Sequence, residues 1–242
     1  MRGEAAARRR EKKCRGILCL DIGGSKIKAL VQGGTEPRKA PTGVEFTPDA
    51  MMKALRELAR GWDYDAVSIG FPGLVGEHGP KAETPNLGHG WVGYDYERAF
   101  GTPVRWANDA AMQALGSYEG GRMLFLGLGT GLGSALVVER HIFTLELGDL
   151  PFGSVTLGEI LGRAGLRRRG KRRWRKSLMR VLPPMQKAMM ADYVVIGGGN
   201  CRYVRALPVG VRIGNNLTAF RGGVRMWDTK PGAGRDPYWK FF

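Results

Sequence analysis

Two stretches of the chain share one pattern of apolar and glycine positions. Residues 17–31 read ILCLDIGGSKIKALV, and residues 123–137 read MLFLGLGTGLGSALV. Each has four apolar residues, then a glycine-rich turn, then a second run that ends in Ala-Leu-Val. In both stretches the pattern predicts a strand, a tight turn with glycines at φ > 0, and a returning strand. The repeat indicates two similar α/β lobes, one in each half of the chain.

The glycines of these turns also suit the binding of an anion. Because glycine has no Cβ, a row of peptide N–H groups can approach a phosphate closely. Two such turns predict two lobes that face each other across one phosphorylated ligand. The alternative is a pair of plain hairpins, which the aligned repeat disfavours.

Neither common phosphate-binding fingerprint accounts for the turns. The dinucleotide pattern G-x-G-x-x-G would need a glycine where the chain has Leu132. Residues 165–171, GLRRRGK, approach the pattern G-x-x-x-x-G-K-[ST], but Arg172 stands at the Ser/Thr position and no apolar strand leads into the motif. We therefore expect phosphate loops of another kind.

One carboxylate stands at the first turn. Asp21 ends the first apolar run and precedes Gly23 and Gly24. This position suits a residue that holds Mg²⁺, or its water, near a phosphate. An aspartate that only stabilises the turn is the alternative.

A second carboxylate stands at the head of a predicted helix. In PVRWANDAAMQALGSYEGG, residues 103–121, a short strand delivers Asn108 and Asp109 to a helix that we predict to begin at Ala110. A role for Asp109 as the N-cap of that helix is the alternative to a chemical role.

The apolar positions Trp174, Leu178, Leu182 and Met185 predict one face of an amphipathic helix. Pro183 and Pro184 interrupt it, and a proline inside a helix costs about 3 kcal/mol or more. We therefore expect a break there and a second helix over about residues 184–190.

Charge narrows the choice of partners. The 242 residues carry a formal net charge of +16 and a pI near 10.2, which favour a polyanionic partner: nucleic acid, an acidic membrane surface or a phosphorylated substrate. Residues 160–227 hold sixteen lysines and arginines against one acidic residue, Asp192. The densest part, RRRGKRRWRK at residues 167–176, is interleaved with Leu166, Trp174 and Leu178, so it predicts a folded helix with a basic face.

The three cysteines, Cys14, Cys19 and Cys201, form no C-x-x-C pair. Their spacing favours a reducing compartment and disfavours structural zinc. A hydrophobic content of 43% is ordinary for a globular protein of one large or two smaller domains. The basic start of the chain has no apolar segment typical of a signal peptide, and no run reaches the roughly 20 residues of a spanning helix.

Six segments together resemble the ROK family of sugar kinases, and more narrowly its polyphosphate glucokinase branch, over residues 16–227. They are DIGGSKIK, GFPG, PNLGHGWVGYD, NDAAMQALGSYEGGRMLFLGLGTGLGSALV, LELGDLP and YVVIGGGN. The resemblance implies an α/β, two-lobed, actin-like (ribonuclease-H-like) fold with a cleft between the lobes. The N-terminal lobe would span residues 16–108 and the C-terminal lobe 109–227, flanked by a flexible basic arm (1–15) and a loose tail (228–242).

The resemblance also implies an activity. The expected reaction is phosphoryl transfer from inorganic polyphosphate, with ATP as a further donor, to the 6-hydroxyl of glucose, with Mg²⁺ and without zinc. We expect a cytoplasmic homodimer with no membrane partner and no nucleic acid. The alternatives are an ATP-dependent kinase of another hexose, a degenerate sugar-binding protein of the family, and a non-catalytic binder of polyanions or nucleic acid.

Roles carry over residue by residue. Asp109 would be the general base, and Asp21 would hold Mg²⁺ through water. The sugar-binding residues would be Asn86, Asn108, Asp109, Glu146 and Asp149. The donor-binding residues would be Asp21, Gly23, Gly24, Lys26, Gly129, Thr130, Gly131, Gly197, Gly198, Gly199 and Asn200, although an exposed Lys26 could equally be inert.

The chain departs from the family pattern in the sugar site. Asp149 stands where the family has histidine in E-L-G-H. A carboxylate only accepts hydrogen bonds, whereas imidazole also donates them, so we expect a weaker sugar affinity or a different preferred hexose. In GSVTLGEIL, Glu159 is the only carboxylate available as a further sugar ligand.

Overall fold

The computed structural model describes residues 16–215, 217–229 and 237–242, so the predicted arm at 1–15 and Cys14 lie outside the described residues. The strands are β1 (Ile17–Ile22), β2 (Lys26–Val31), β3 (Arg38–Pro41), β4 (Ala66–Phe71), β5 (Val75–Gly76), β6 (Gly79–Pro80), β7 (Val104–Asn108), β8 (Arg122–Leu128), β9 (Leu132–Val138), β10 (His141–Leu145), β11 (Pro151–Phe152), β12 (Val155–Thr156), β13 (Tyr193–Gly197), β14 (Val211–Ile213) and β15 (Lys240–Phe241). The helices are α1 (Pro48–Leu58), α2 (Tyr96–Phe100), α3 (Asp109–Ser117), α4 (Leu157–Leu161), α5 (Arg163–Ala188) and α6 (Thr218–Arg225), with short 3-10 helices at Leu147–Asp149 and Gly199–Tyr203.

The first sheet has the strand order β3-β2-β1-β4-β7. Strands β1 and β4 are buried at every residue because both faces of the sheet are covered. Helix α1 covers one of these faces: Thr47 caps its N-terminus, and Met51, Leu55 and Leu58 recur at helical spacing and are buried.

The second sheet has the order β14-β13-β8-β9-β10-β15. Its hairpin β8–β9 pairs Leu124 with Leu136, whereas the hairpin β1–β2 pairs Leu18 with Val31, so the two antiparallel hairpins differ in register by one residue. The predicted repeat of strand, turn and strand is therefore confirmed. The predicted backbone of the turns is wrong, because the glycines at φ > 0 do not include the four that form them, which are Gly23, Gly24, Gly129 and Gly131.

Helices α3 and α6 cross at a contact that only glycine permits. A Cβ on Gly116 would lie 1.8 Å from the carbonyl oxygen of Thr218, and one on Gly222 would lie 1.8 Å from that of Met112. Beyond this crossing α6 reaches β1, where a Cβ on Gly223 would meet the Cys19 sulfur at 2.7 Å. The last described helix thus covers a strand from the beginning of the chain.

The predicted helix break at Pro183 and Pro184 is wrong. Helix α5 continues through both prolines, and its non-helical residue is Gly170, at φ 71° and ψ 159°. Proline's own φ is helical, and both proline residues are exposed while Leu182 and Met185 beside them stay buried. Packing of that apolar face offsets the two missing N–H bonds.

The end of the segment predicted as a loose tail lies on the second sheet. Strand β15 pairs in parallel with β10, and the Phe242 N–H donates to the Ile142 carbonyl at 2.8 Å. The Phe242 ring stacks on Phe143 with centroids 5.3 Å apart. Among the described residues, no helix is both long and apolar enough to cross a bilayer.

Candidate active site

The first glycine turn positions a buried ion pair. Asp21 lies near the end of β1 with 5% of its surface exposed, directly opposite Lys28 of β2. The Lys28 Nζ lies 2.5 Å from Asp21 Oδ2. The Gly23 N–H donates to the Lys26 carbonyl at 3.1 Å and closes the turn between the two strands.

Close packing at Gly24 brings the Asn86 loop to this turn. A Cβ on Gly24 would lie 2.9 Å from the Asn86 Cβ, so the position admits only glycine without a shift of the loop. Asn86 itself is exposed. The predicted sugar ligand therefore lies beside the predicted donor turn.

The second glycine turn connects β8 to β9, and the loop after β13 packs against it. The Gly129 carbonyl accepts a hydrogen bond from Asn200 Nδ2 at 3.0 Å. Gly198 has φ 84°, and a Cβ there would lie 2.5 Å from the Leu128 carbonyl oxygen. The predicted donor residues Gly197–Asn200 and Gly129–Gly131 are thus brought together.

Arg163 joins the two turns. Its backbone N–H donates to the carbonyls of Gly129 at 3.1 Å and Thr130 at 3.0 Å. Its guanidinium Nη1 donates to Ser25 Oγ in the first turn at 3.0 Å. The two turns therefore face each other from opposite lobes.

Asn108, not Asp109, caps helix α3. The Asn108 Oδ1 accepts from the N–H groups of Ala110 at 2.9 Å and Ala111 at 3.3 Å, while its Nδ2 donates to the Gly73 carbonyl at 3.2 Å. The interpretation of Asp109 as N-cap is wrong, since α3 begins at that residue. The cap holds Asn108 in one orientation, and Asp109 Oδ1 also accepts a hydrogen bond from the Ala110 N–H at 2.8 Å.

Asp109 lies where the two lobes meet. A Cβ on Gly70 of β4 would lie 3.4 Å from the Asp109 Cα, and one on Gly133 of β9 would lie 3.0 Å from the Ala110 Cβ. These two glycines let strands from both sheets approach the start of α3. Asp109 is half-buried there.

The surroundings of Asp109 raise its pKa to about 7. Burial is the main cause, and the negative charges of Asp21 and Glu146 act in the same direction. The Ala110 N–H and the positive charge of Lys28 oppose them. A carboxylate with a pKa near neutrality is suited to general base catalysis.

Glu146 and Asp149 flank a short 3-10 helix that follows β10, and both are exposed. Ser134 Oγ donates to the Leu145 carbonyl at 2.7 Å and accepts from the Leu147 N–H at 3.1 Å, which fixes this corner. Burial and the charge of Asp149 raise the pKa of Glu146. The two predicted sugar carboxylates are thus neighbours.

Glu159 belongs to a helix cap. Its Oε2 accepts from the Thr156 N–H at 2.7 Å, while Thr156 Oγ1 accepts from the Glu159 N–H at 3.2 Å. This reciprocal capping box begins α4. It gives Glu159 a structural role at the start of this helix.

Sequence reasoning named Lys26 of β2 and did not single out Lys28. Lys26 is exposed, whereas Lys28 is half-buried against Asp21. The signal that could have found Lys28 is its spacing from the turn, because the hairpin register places it opposite Asp21. Arg163 was also missed, since its two contacts join segments far apart in the sequence.

Few protein side chains would bind a magnesium ion at this site. The described residues contain no group of three or more His, Cys, Asp or Glu side chains that could hold a metal. Magnesium commonly binds through one or two carboxylates together with substrate phosphates. Buried Asp21, beside the turn predicted to bind the donor, fits that kind of site.

The predicted basic helix face is present on α5. Trp174 and Leu178 are fully buried, while the opposite side displays exposed cations. We call this set the basic face: Arg167, Arg168, Arg169, Lys171, Arg172, Arg173, Lys176, Arg180 and Lys187.

Tyr203 connects the basic face to the loop on the second turn. The ammonium of Lys171 and the guanidinium of Arg202 lie 4.9 Å and 4.7 Å from the centre of its ring. The Arg175 Nη1 donates to the Tyr203 carbonyl at 3.4 Å. Asn200, which lies three residues before Tyr203 in the chain, donates to the Gly129 carbonyl. The loop that contains both residues therefore links the basic face to the second turn.

Known proteins are similar to this chain in sequence. The model of the ROK family matches residues 17–148. A polyphosphate glucokinase of Mycobacterium tuberculosis is 29% identical over 210 residues, covering 77% of this chain and 73% of that protein. A kanosamine kinase of Amycolatopsis mediterranei is 28% identical over 170 residues, covering 61% of this chain and 53% of that protein.

Solved structures are similar in fold. An inorganic polyphosphate/ATP-glucomannokinase from Arthrobacter sp. strain KM has a TM-score of 0.73 at 22% identity, covering 86% of this chain and 96% of that chain. A ROK family glucokinase from Streptomyces griseus, in complex with glucose and AMPPNP, has a TM-score of 0.64 at 17% identity, covering 86% and 98%. These likenesses confirm the predicted two-lobed α/β fold.

Proposed function

This chain belongs to the ROK family, and we propose that it is a sugar kinase that transfers a phosphoryl group from inorganic polyphosphate to the 6-hydroxyl of glucose. The observation that carries the proposal is Arg163, which holds both glycine turns together across the cleft. Asp109, with its raised pKa, lies at the junction of the same two lobes.

The proposed reaction transfers one proton to Asp109 and one phosphoryl group to the sugar. Asp109 takes the proton of the sugar 6-hydroxyl as the oxygen attacks the terminal phosphorus. The bond from that phosphorus to its bridging oxygen breaks, and its electron pair leaves with the shortened polyphosphate. The products are glucose 6-phosphate and a chain one phosphate shorter.

The other site residues bind and orient. Asn86, Asn108, Glu146 and Asp149 would hold the remaining sugar hydroxyls. The peptide N–H groups of the two turns, with Asn200, would hold the end of the donor. Asp21 would hold magnesium through water, and that ion would neutralise part of the phosphate charge.

The basic face supports polyphosphate as the donor. A polyphosphate carries about one negative charge per phosphate over its whole length, so it gains from cations that extend away from the reacting end. Compact ATP would use only the turns and the loop 197–200. That loop, packed on the second turn through Gly198, favours ATP as a second donor.

A panel of donors and sugars tests the proposal. Purified protein with Mg²⁺ is incubated with glucose, mannose or glucosamine and with polyphosphate, ATP or GTP, and the sugar phosphate is measured. We expect glucose 6-phosphate with polyphosphate, and a fall of about 10²–10⁴-fold in Asp109→Asn. Unchanged turnover in Asp109→Asn would exclude the base, and tight polyanion binding without turnover by any pair would favour a non-catalytic binder.

A further inference from the structure

We propose that Lys28 is a further catalytic residue, whose ammonium group contacts the phosphoryl group during transfer and stabilises its negative charge. This inference rests on the proposed function, because it assigns a role within the same cleft. It adds a second lysine of β2 to Lys26, which the sequence predicted to contact the donor.

The hairpin places Lys28 toward the interior. Asp21 and Lys28 are directly opposed in the antiparallel register of β1 and β2. The Lys28 side chain is 30% exposed and that of Asp21 only 6%, so the pair opens to solvent on the lysine side. The Lys28 ammonium is therefore the more accessible partner of the pair.

The carboxylates near this ion pair would repel a phosphate chain unless a cation offset their negative charge. Asp21 and Glu146 both act electrostatically on Asp109, so three carboxylates share the site that must receive a phosphate chain. The positive charge of Lys28 also acts on Asp109 and lowers its pKa, so this cation contributes to the electrostatics of the base. Without such a charge, the site would repel the donor that its glycine turns are shaped to bind.

The ammonium has donors to spare for this role. A protonated lysine has three N–H donors, and Asp21 Oδ2 accepts one of them at 2.5 Å. The others can donate to the non-bridging oxygens of the phosphoryl group, where charge is spread in the transition state. Lys28 only donates hydrogen bonds in this step, and the proton of the sugar hydroxyl passes to Asp109.

A purely structural ion pair is the competing explanation. In that case Lys28 only neutralises buried Asp21, and any group that hydrogen-bonds Asp21 would serve equally well. The two explanations differ in what they predict for an uncharged donor at position 28 and for phosphate binding.

The kinetic test compares three variants. Lys28→Gln keeps a hydrogen-bond donor for Asp21 but removes the charge, and Lys28→Arg keeps the charge. Lys39→Gln is the matched control, because it removes an exposed lysine from the neighbouring strand β3. We expect kcat to fall about 10²–10³-fold in Lys28→Gln, to recover at least tenfold of that loss in Lys28→Arg, and to stay within about twofold in Lys39→Gln. A kcat within about threefold of wild type in a folded Lys28→Gln protein would overturn the proposal.

A binding test does not depend on turnover or on a stable single variant. Tripolyphosphate binding is measured by calorimetry without sugar and with EDTA, in Asp21→Asn and in the double variant Asp21→Asn/Lys28→Gln. Both replace the buried carboxylate by an amide, so neither leaves a buried negative charge without its cation. We expect the double variant to bind about tenfold or more weakly than Asp21→Asn. Equal affinities would refute the contact.

The two tests separate this inference from the proposed function. Wild type that turns over no donor and sugar pair would sink the proposed kinase, whereas the binding comparison would still decide whether Lys28 contacts phosphate. Active wild type with equal binding in both Asp21 variants would leave the kinase standing and remove Lys28 from its mechanism.

Discussion

The guanidinium of Arg163 donates to Ser25 Oγ at 3.0 Å, and this contact spans the cleft between the two glycine turns. The backbone of Arg163 is hydrogen-bonded to the second turn, so the length of its side chain sets the distance between the two turns. We expect Arg163→Met to raise the KM for polyphosphate about tenfold, since a charged donor next to the phosphates is lost. Glucose affinity, followed by tryptophan fluorescence, should change less than about twofold.

Ser25→Ala is the matched control for that experiment. It removes the same hydrogen bond but leaves the cation, so its donor KM should rise by no more than about threefold. Equal effects of the two substitutions would mean that the contact itself, and not the positive charge, aligns the turns.

The rate should follow the ionisation of Asp109. A base acts in its ionised form, and the pKa of Asp109 is raised to about 7. We therefore expect kcat/KM for glucose to fall about tenfold per pH unit below pH 7 and to level off above it. Glu146→Gln removes a negative charge near Asp109, so its inflection should move to lower pH; an unmoved inflection would assign the profile to another group.

The same carboxylate should limit the stability of the protein above neutral pH. The Asp109 pKa of about 7 lies above the ordinary value of 3.8, so the folded protein holds a proton that the unfolded chain has released between these values. The ionisation of Asp109 therefore lowers the free energy of unfolding as pH rises from 4 to 7, by up to about 4 kcal/mol.

Asp109→Asn tests this cost, because asparagine cannot ionise. We expect the variant to be inactive yet to melt several degrees higher than wild type at pH 8, with the two melting temperatures converging near pH 4. A variant that melts lower than wild type at pH 8 would contradict the electrostatic account of the site.

Neighbouring glycines of the loop after β13 should respond differently to alanine. A Cβ on Gly198 would lie 2.5 Å from the Leu128 carbonyl oxygen at a φ of 84°, whereas a Cβ on Gly199 would meet no atom within 4 Å. We expect Gly198→Ala to lower the free energy of unfolding by about 1–3 kcal/mol and Gly199→Ala to change it by less than about 1 kcal/mol. Urea denaturation of both variants measures the difference.

Local pattern was sufficient to predict the hairpins and the placement of their carboxylates. Apolar runs on either side of a glycine turn predicted both strand pairs, and the position of Asp21 before a glycine turn followed from them. Asp109 was placed at a helix start because a strand, a polar pair and an apolar helix follow each other in the chain. These inferences need only contacts between residues close in sequence.

Distant contacts account for what was missed. The glycines of the two turns are not at φ > 0, and Gly24 is required instead by the approach of Asn86, which no local pattern reveals. Helix α5 passes through Pro183 because buried neighbours stabilise it. The contact of Arg163 with the first turn could be predicted only from the arrangement of the lobes. The pairing of Lys28 with Asp21 could be predicted only from the strand register.

The crossing of α6 over α3 has a consequence for synthesis of the protein. Phe220 lies in one buried cluster with Ile17, Cys19 and Ala66, so the first sheet is covered on this side by residues translated some 150 to 200 positions later. An N-terminal half emerging from the ribosome would therefore present an uncovered apolar surface until the segment around Phe220 had been made. Fragments cut between the lobes should be insoluble when expressed alone.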